Sequence, residues 1–303
     1  MILEPNRQRR NRVFRVVAGI VALLFVGGVT ATGWTLPAFS VASATTSPLP
    51  GTPLPAAPSA TTPPVAVIPT PDPTTAPPPT PAPTPGADGC IPPPADLQPA
   101  TVVSHGPRTA KVIALTFDDG NNPSNVALIR EFLVRNRVNA TFFPTARAIE
   151  LAPETWQRVA AAGFPIANHT YHHLSLAKQC VEKQLAELEK AKRVVAAQGL
   201  TLQGYMRPPF EEYDRNTQLA AAAAGEGYVV LWNVDTLDWT GLSGTTIAGR
   251  AIGAGPGSII LMHTTRLATM HALAQIVAHY RKRGYTFVTI GQLLGVPGPV
   301  PFP

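Results

Sequence analysis

Short apolar runs alternate with longer amphipathic stretches throughout the chain after residue 100. The apolar runs are bounded by glycine, proline or polar residues, a pattern typical of buried strands. They cover residues 112–117, 140–143, 164–167, 202–206, 228–234, 258–262 and 285–290. The amphipathic stretches predict helices over residues 124–137, 153–162, 177–198, 217–224 and 269–283. Strands that alternate with helices predict an α/β fold with a parallel sheet, either open or closed into a barrel.

Cap and turn residues mark the ends of these helices. Ser124 is a suitable N-cap for the first helix. A glycine directly follows each of the other four, as is common at helix C-termini: Gly163, Gly199, Gly225 and Gly284. The glycine-rich sequence GAGPG at 253–257 precedes a strand instead of opening a helix after one, so it predicts a tight loop and not a nucleotide-binding loop.

Residues 1–44 have the features of an export signal. Five arginines in the first 15 residues precede an uncharged stretch at 16–36 and the sequence Ala-Ser-Ala at 42–44. The small residues favour cleavage of a signal peptide, whereas 21 uncharged residues are also about enough to cross a bilayer as an anchor. Both alternatives place the rest of the chain outside the membrane, because the arginines stay in the cytoplasm. We therefore expect an extracellular or cell-wall-associated protein.

Residues 45–99 form a spacer between this signal and the patterned region. They hold 20 of the 34 prolines, and their only charged residues are Asp72, Asp88 and Asp96. Such a composition cannot build a hydrophobic core and predicts a disordered, extended linker. Residues 100–303 suffice for one folded domain, which we expect to be monomeric.

Charge and cysteine content narrow the possible partners of this domain. After the spacer the chain carries 19 Lys/Arg and 14 Asp/Glu residues without a basic run that is interleaved with aromatic residues, so we expect no nucleic-acid partner. The two cysteines, Cys90 and Cys180, do not have the spacing of a zinc knuckle. In an exported protein they can form a disulfide, but the sequence does not distinguish that bond from two free thiols.

Unusual polar residues follow five of the predicted strands. They are Asp118-Asp119, the sequence NHTYHH at 168–173, RPPF at 207–210, DTLDW at 235–239, and His263. An Asp-Gly pair alone is a common turn, but two adjacent acids at a buried strand end are costly without partners. Because the C-terminal ends of parallel strands share one face, where active sites are built, we expect these residues to converge.

His169 and His173 are four residues apart, which would place both imidazoles on one face of a helical turn. With a carboxylate from a neighbouring strand they make a three-residue site for a divalent cation that leaves positions open for water and substrate. Zinc is favoured, while cobalt, nickel or manganese also suit such residues. His172 is a further candidate, but its offset by one residue points it elsewhere.

The five motifs TFDDG, HTYHH, RPPF, DTLDW and LMH resemble, in order, those of the polysaccharide deacetylases, the NodB-homology domains of carbohydrate esterase family four. The resemblance covers about residues 108–295. It implies a distorted (β/α)7 barrel and metal-dependent hydrolysis of acetyl groups from N-acetylated sugars. An exported enzyme on a long spacer would act on peptidoglycan or a related N-acetylglucosamine polymer.

The resemblance also implies a role for each motif residue. Asp119, His169 and His173 would bind the metal, Asp118 would be the general base and His263 the general acid. Arg207 would orient the base, and either Asp235 or Asp238 would tune the acid histidine. The Phe210 N–H would hold the oxyanion, while Trp239 and Leu261 would line the pocket for the acetyl methyl group.

Three positions depart from the family pattern: Glu211 replaces a common glycine, His172 a common serine, and Pro144 interrupts the usual strand end. None removes a proposed metal ligand or acid/base group, so we expect them to bear on efficiency and substrate choice more than on the reaction. The alternatives are a catalytically weak or inactive exported glycan-binding module on the same barrel and an O-acetyl xylan esterase. A serine-triad hydrolase is disfavoured because the chain has no G-x-S-x-G elbow.

Overall fold

The computed structural model describes residues 90, 94 and 96–302, and every structural statement below concerns these residues. The strands are β1 (Thr101–Val103), β2 (Val112–Asp119), β3 (Ala140–Pro144), β4 (Tyr205–Met206), β5 (Tyr228–Val230), β6 (Val234–Asp235), β7 (Ser258–His263) and β8 (Thr286–Phe287). The helices are α1 (Pro123–Arg135), α2 (Ala146–Leu151), α3 (Pro153–Ala161), α4 (Val181–Ala197), α5 (Arg215–Ala223), α6 (Gly244–Ala251), α7 (Leu267–Lys282) and α8 (Ile290–Leu294). Single 3-10 turns lie at Pro209–Glu211 and Asp238–Thr240.

The predicted export signal at 1–44 and most of the predicted spacer lie outside the described residues. Within the described part of the chain, no helix combines the length and the apolar character needed to cross a bilayer.

Strand β2 is the centre of the larger sheet, whose order is β3-β2-β7-β6, with β8 pairing to the start of β2. All of these pairs are parallel. Single parallel bridges at Ile166 and Asn168 connect β3 to the smaller sheet, β4-β5-β1. The parallel pairings therefore run in chain order from β2 through β3 and β4 to β5, and on the other side of β2 through β7 to β6. We call this row of strands the ring, although no strand pairing joins β5 to β6 within the described residues. This α/β arrangement confirms the predicted fold class.

The ring is distorted between β5 and β6. On its outer edge β5 pairs with β1, and Leu231 continues that pairing by donating its N–H to the carbonyl of Val103 at 2.7 Å. The carbonyls of Val230 and Leu231 instead accept hydrogen bonds from the Arg207 side chain at 3.0 and 3.2 Å. A buried guanidinium thus satisfies backbone groups at the point where the strand ladder is interrupted.

The two faces of the central strands contact different layers. In β2, Ile113, Leu115 and Phe117 pack outward with α1, α6 and α7 in the larger core cluster. Ala114 faces inward and packs with Ile259, Phe143, Val230 and other inward residues. Residues of α8 belong to this inner cluster, so the final helix fills one end of the ring. Because side chains alternate between the two faces along β2, Thr116 and Asp118 also point inward. They lie toward the end of the ring opposite to α8, where the polar residues of the motifs lie.

Several helix ends confirm the sequence pattern, and one differs. The glycines at 163, 199, 225 and 284 all have positive φ, as expected for helix C-termini. The N-cap of α1 is Asn122 and not Ser124, because Pro123 takes the first helical position and the Asn122 side chain accepts from the N–H of Asn125. The predicted cap was therefore wrong by two residues.

Some strands and helices also differ from those that the apolar pattern predicts. The segment 164–167 makes only isolated bridges, 228–234 is interrupted after Val230, and the last predicted strand gives way at Ile290 to α8. Helix α4 begins at Val181, four residues later than predicted. The pattern also missed β1, α2, α6 and α8, which are short and depend on neighbours for their burial.

Cys90 and Cys180 form a disulfide, with their Cα atoms 5.5 Å apart. Cys180 is the N-cap residue of α4. The bond therefore ties a residue of the predicted spacer to the start of a helix, across 90 positions of sequence. The sequence had left this pairing open.

We predict that Gly120→Ala destabilises the fold far more than Gly199→Ala. Both glycines have positive φ, +89° and +72°. An added Cβ at Gly120 would lie 2.4 Å from the Trp156 ring, whereas nothing lies within 4 Å at Gly199. The left-handed conformation alone costs about 1–2 kcal/mol, and overpacking adds about 1–3 kcal/mol at Gly120 only. Urea unfolding of the two variants measures the difference; equal losses would contradict it.

Candidate active site

The adjacent acids Asp118 and Asp119 turn to different sides at the end of β2. Asp118 keeps the inward direction of the strand, is buried, and pairs in register with His263 on β7. Asp119 has a positive φ of 76°, and Gly120 follows with φ +89°. The backbone therefore leaves the extended conformation at Asp119, and its carboxylate points toward the loop at 168–173. Neighbouring acids thus meet different partners.

Asp119, His169 and His173 bring three electron-donating atoms together. His173 Nε2 is 3.3 Å and His169 Nε2 is 3.7 Å from Asp119 Oδ1, and the two imidazole centroids are 4.9 Å apart. One donor atom from each residue lies within 4.8 Å of the others. The structure therefore brings together the three residues that the sequence had selected.

The loop that carries the histidines is not helical, so the expected helical turn was wrong. Thr170 and His173 both have positive φ, 65° and 61°. Side-chain hydrogen bonds hold the loop instead: Thr170 N donates to Asn168 Oδ1 at 2.9 Å, and His173 N donates to Thr170 Oγ1 at 3.1 Å. The spacing of four residues thus brings the imidazoles together through two left-handed residues.

Burial and hydrogen bonding prepare His169 to bind a cation. Burial lowers the pKa of His169, so its imidazole is neutral at pH 7. Its Nδ1 lies 2.8 Å from the carbonyl oxygen of Arg207, which fixes the proton on Nδ1 and leaves the Nε2 lone pair facing Asp119. Burial raises the pKa of Asp119, but the hydrogen bond with His173 and the electrostatic interactions with the surrounding histidines outweigh it, so the pKa is lowered overall.

Two imidazole nitrogens and a carboxylate oxygen that face one another fit a divalent cation. The His169 nitrogen is held in its unprotonated form, and the Asp119 carboxylate is ionised. Such a set of two histidines and one aspartate is suited to zinc and to similar transition metals. His172 does not belong to it, because its Nδ1 contacts Glu187 Oε1 at 2.7 Å.

Arg207 is fully buried and links the site to the ring of strands. Its Nη1 donates to Asp118 Oδ1 at 2.7 Å and to Thr116 Oγ1 at 2.9 Å. The guanidinium carbon lies 4.2 Å from the centroid of the Phe143 ring. Burial lowers the pKa of Arg207, and the charge and hydrogen bond of Asp118 oppose this effect only in part. The ion pair fixes one oxygen of Asp118, while Oδ2 remains 3.8 Å from His169 Nε2.

The structure decides which aspartate contacts His263. Asp238 Oδ1 lies 2.8 Å from His263 Nδ1, and Asp238 Oδ2 accepts from the His263 N–H at 2.7 Å and from Thr269 Oγ1 at 2.5 Å. Asp235 Oδ1 instead accepts from the N–H of Leu237 at 2.8 Å. Burial lowers the pKa of His263, but the hydrogen bond and charge of Asp238 outweigh it and raise the pKa to about 9.

The predicted substrate-contact residues differ in exposure. Phe210 and Trp239 are 59% and 51% exposed, whereas Leu261 is only 3% exposed and lies on the inward face of β7, in register with Thr116. The Phe210 ring packs edge-on against His173, with centroids 4.6 Å apart. Phe210 and Glu211 both have a φ of 61°, so the position where glycine was expected is left-handed.

A cavity of about 290 Å³ opens beside the histidine loop. It is lined by residues of the loop after β2, of α2 and of the histidine loop, among them Gly120, Arg147, Tyr171 and His173. The site is therefore continuous with a concave surface large enough for part of a ligand.

Sequence reasoning missed four polar residues that hold the site. Thr264 Oγ1 accepts from Gly120 N at 2.9 Å, Thr116 accepts from Arg207, and Thr269 donates to Asp238. Glu226 accepts from Asn168 at 2.6 Å. Thr116 is the first residue of the TFDDG motif and Thr264 directly follows the LMH motif, so both could have been found from their positions. Thr269 and Glu226 lie within or next to helices without a local signal.

The chain is similar to known deacetylases. The family model described as "Polysaccharide deacetylase" matches residues 105–229. A peptidoglycan-N-acetylglucosamine deacetylase of Bacillus cereus is 34% identical over 190 residues, which cover 61% of this chain and 69% of the relative. The chain belongs to the polysaccharide deacetylase family. The family model ends before the DTLDW and LMH motifs, so the contact between Asp238 and His263 supports the assignment of these motifs independently of that match.

Two further comparisons extend the likeness to this family. A peptidoglycan-N-acetylmuramic acid deacetylase of Bacillus subtilis, PdaC, is 32% identical over 188 residues, which cover 60% of this chain but only 38% of that longer protein. The solved structure of the Bc1960 peptidoglycan N-acetylglucosamine deacetylase has a TM-score of 0.63 and 31% identity, and the match covers 66% of this chain and 95% of that one.

We predict that Asp238→Asn lowers the pKa of His263 and that Asp235→Asn changes it much less. Loss of a contacting charge lowers a histidine pKa by about 1–3 units. Because folding raises this pKa from 6.5 to about 9, the interaction stabilises the fold fully below pH 6.5 and is lost as pH rises to about 9. Histidine NMR titration without added metal measures both variants. A larger shift in Asp235→Asn would contradict the assignment.

Proposed function

We propose that this protein is a metal-dependent hydrolase that removes acetyl groups from an N-acetylated cell-wall polysaccharide, with peptidoglycan as its substrate. The observation that carries the proposal is the convergence of Asp119, His169 and His173 beside Asp118 and His263 at one end of the ring. A binding module has no need for an acid and a base placed around a cation site. Family membership and the similar peptidoglycan deacetylases support the substrate class.

Asp119 Oδ1, His169 Nε2 and His173 Nε2 would hold the cation. When bound, it would polarise the acetamide carbonyl and lower the pKa of a water molecule. Asp118 is placed to take the proton from that water, because Arg207 occupies its Oδ1 and leaves Oδ2 directed at the site. Arg207 thus orients the base.

Attack of water on the acetamide carbon produces an oxyanion, to which the Phe210 N–H would donate a hydrogen bond. Collapse then breaks the carbon–nitrogen bond, giving acetate and the free amino sugar. The sugar nitrogen needs a proton as it leaves. His263 can supply it from Nε2, because its Nδ1 is held by Asp238 and its raised pKa of about 9 keeps the imidazole protonated at neutral pH. Asp238 is therefore the aspartate that we assign to tuning the acid.

The exposed rings of Phe210 and Trp239 provide apolar surface at the rim of the site, which suits a sugar chain that lies across it. The buried Leu261 forms part of the inner wall. Together with the cavity beside His173, this surface provides room for the sugars that flank the acetylated unit. We place the enzyme outside the membrane, with residues 1–44 as its export signal and 45–99 as its spacer to the wall.

The substrate is tested by acetate release from peptidoglycan fragments, N-acetylglucosamine oligomers and acetylated xylan, with zinc, cobalt, nickel or manganese added. We expect release from peptidoglycan fragments. Release from xylan alone would identify an O-acetyl esterase, and no release with any metal would favour a glycan-binding module.

We predict that Asp118→Asn lowers kcat by about 10²- to 10⁴-fold while cobalt still binds, because a general base is lost but the cation site is kept. His169→Ala, by contrast, removes one of three donor atoms and should abolish tight cobalt binding. Turnover and equilibrium dialysis measure the two properties separately. Full activity in Asp118→Asn would contradict the role of the base, and unchanged cobalt affinity in His169→Ala would contradict the cation site.

The matched control is Arg158→Gln on α3, which pairs with Glu154 at 3.5 Å on the surface and contacts no residue of the site. It should leave both kcat and cobalt affinity unchanged. Losses equal to those of the site variants would point to a general effect of substitution and not to the site.

A further inference from the structure

Glu226 is a buried carboxyl group that the proposed mechanism does not use. It lies between α5 and β5, is 2% exposed, and its N–H donates to the carbonyl of Ala221 at 2.8 Å. Burial raises its pKa to about 8, so the group is largely neutral at pH 7. Burial of a carboxyl group lowers the stability of the fold unless the group is hydrogen-bonded, so the hydrogen-bond partner of Glu226 indicates its role.

Its one hydrogen-bonded oxygen contacts Asn168, the residue before His169. Asn168 Nδ2 donates to Glu226 Oε1 at 2.6 Å and to the carbonyl of Leu188 at 3.3 Å. Glu226 Oε2 has no hydrogen-bond partner. The short contact at Oε1 is therefore the side-chain interaction that defines the position of this carboxyl group.

From Asn168 a chain of hydrogen bonds runs to both histidines. Asn168 Oδ1 accepts the N–H of Thr170, whose Oγ1 accepts the N–H of His173. The Asn168 carbonyl accepts from Arg207 N at 2.9 Å, and the Arg207 carbonyl faces His169 Nδ1 at 2.8 Å. An amide side chain can rotate about its terminal bond, so which end faces Thr170 depends on its partners. The Leu188 carbonyl can only accept a hydrogen bond and therefore requires the NH₂ end, which also donates to Glu226 Oε1. The amide oxygen is thereby left for the Thr170 N–H.

We propose that Glu226 is a positioning residue for the cation site: its Oε1 fixes the amide of Asn168, which holds the left-handed loop that presents His169 and His173. The proposal rests on the assignment of these histidines as metal ligands under the proposed function. Thr170 and His173 both have positive φ, a conformation that costs energy and persists only where surrounding contacts fix it. Loss of the Glu226 contact should therefore loosen the loop and weaken binding of the cation.

The test compares Glu226→Leu, which removes the acceptor, with Glu226→Gln, which keeps an acceptor oxygen at nearly the same place. Loss of a residue that orients a metal ligand typically weakens metal binding by about 10- to 100-fold. In Glu226→Leu we expect cobalt affinity to fall by this factor and kcat to change by a larger factor than KM. In Glu226→Gln we expect cobalt affinity to change by less than about threefold. Cobalt affinity is measured by competition with a chromophoric chelator, which does not require turnover.

Val229→Ala is the control for a general loss of stability. Val229 is fully buried on the same strand, β5, and belongs to the core cluster beside α5. This variant should lower Tm while leaving cobalt affinity unchanged. If Val229→Ala weakens cobalt binding as much as Glu226→Leu does, the effect is one of stability and the proposal is overturned. It is also overturned if Glu226→Leu binds cobalt as tightly as the unaltered protein.

Asn168→Ser provides a second route to the same question if Glu226→Leu does not fold. It removes the amide donor without changing β5 and should weaken cobalt binding to a similar degree. In the double variant with Glu226→Gln, the loss should not exceed that of Asn168→Ser alone, because the shared contact is already absent. Tight binding in Asn168→Ser would overturn the proposal. Loss in His169→Ala together with tight binding in Glu226→Leu would overturn this inference alone and leave the cation site standing.

Discussion

The buried ion pair between Arg207 and Asp118 is the constraint on which the ring and the site both depend. A guanidinium without access to water must have its charge and its N–H groups satisfied. Asp118 and Thr116 on β2, and the carbonyls of Val230 and Leu231 after β5, accept its hydrogen bonds. The side chain thereby joins opposite parts of the ring at the interruption between β5 and β6. Removing either charge would leave the other buried, at a cost of about 3–5 kcal/mol.

The same pair explains why two adjacent acids have different surroundings. Asp118 is held on the inward face of β2 by Arg207, while Asp119 leaves the strand with positive φ and meets the histidine loop. The parallel register places His263 opposite Asp118 on the neighbouring strand. The proposed base, the three candidate cation ligands and the proposed acid thus occupy adjoining positions because of strand register, the left-handed conformation of Asp119 and the buried Arg207 guanidinium.

The loops that complete the site are held by polar contacts with residues that are distant in sequence. Asp238 is fixed by His263 and by Thr269 of α7, and Asn168 is fixed by Leu188 of α4 and by Glu226. These contacts join residues 20 to 58 positions apart in sequence. The helices outside the ring therefore do more than cover the strands, because they orient the loops at its polar end.

The amino-acid pattern by itself determined the fold class, the main strands and most of the helix ends, since apolar periodicity and glycine at helix C-termini are local properties. It also selected the residues of the site, because polar motifs after successive parallel strands must meet on one face. Tertiary structure decided what depends on distant partners: the choice of Asp238 over Asp235, the left-handed histidine loop, the bond between Cys90 and Cys180, and the burial of Glu226. Each involves a contact that no local spacing encodes.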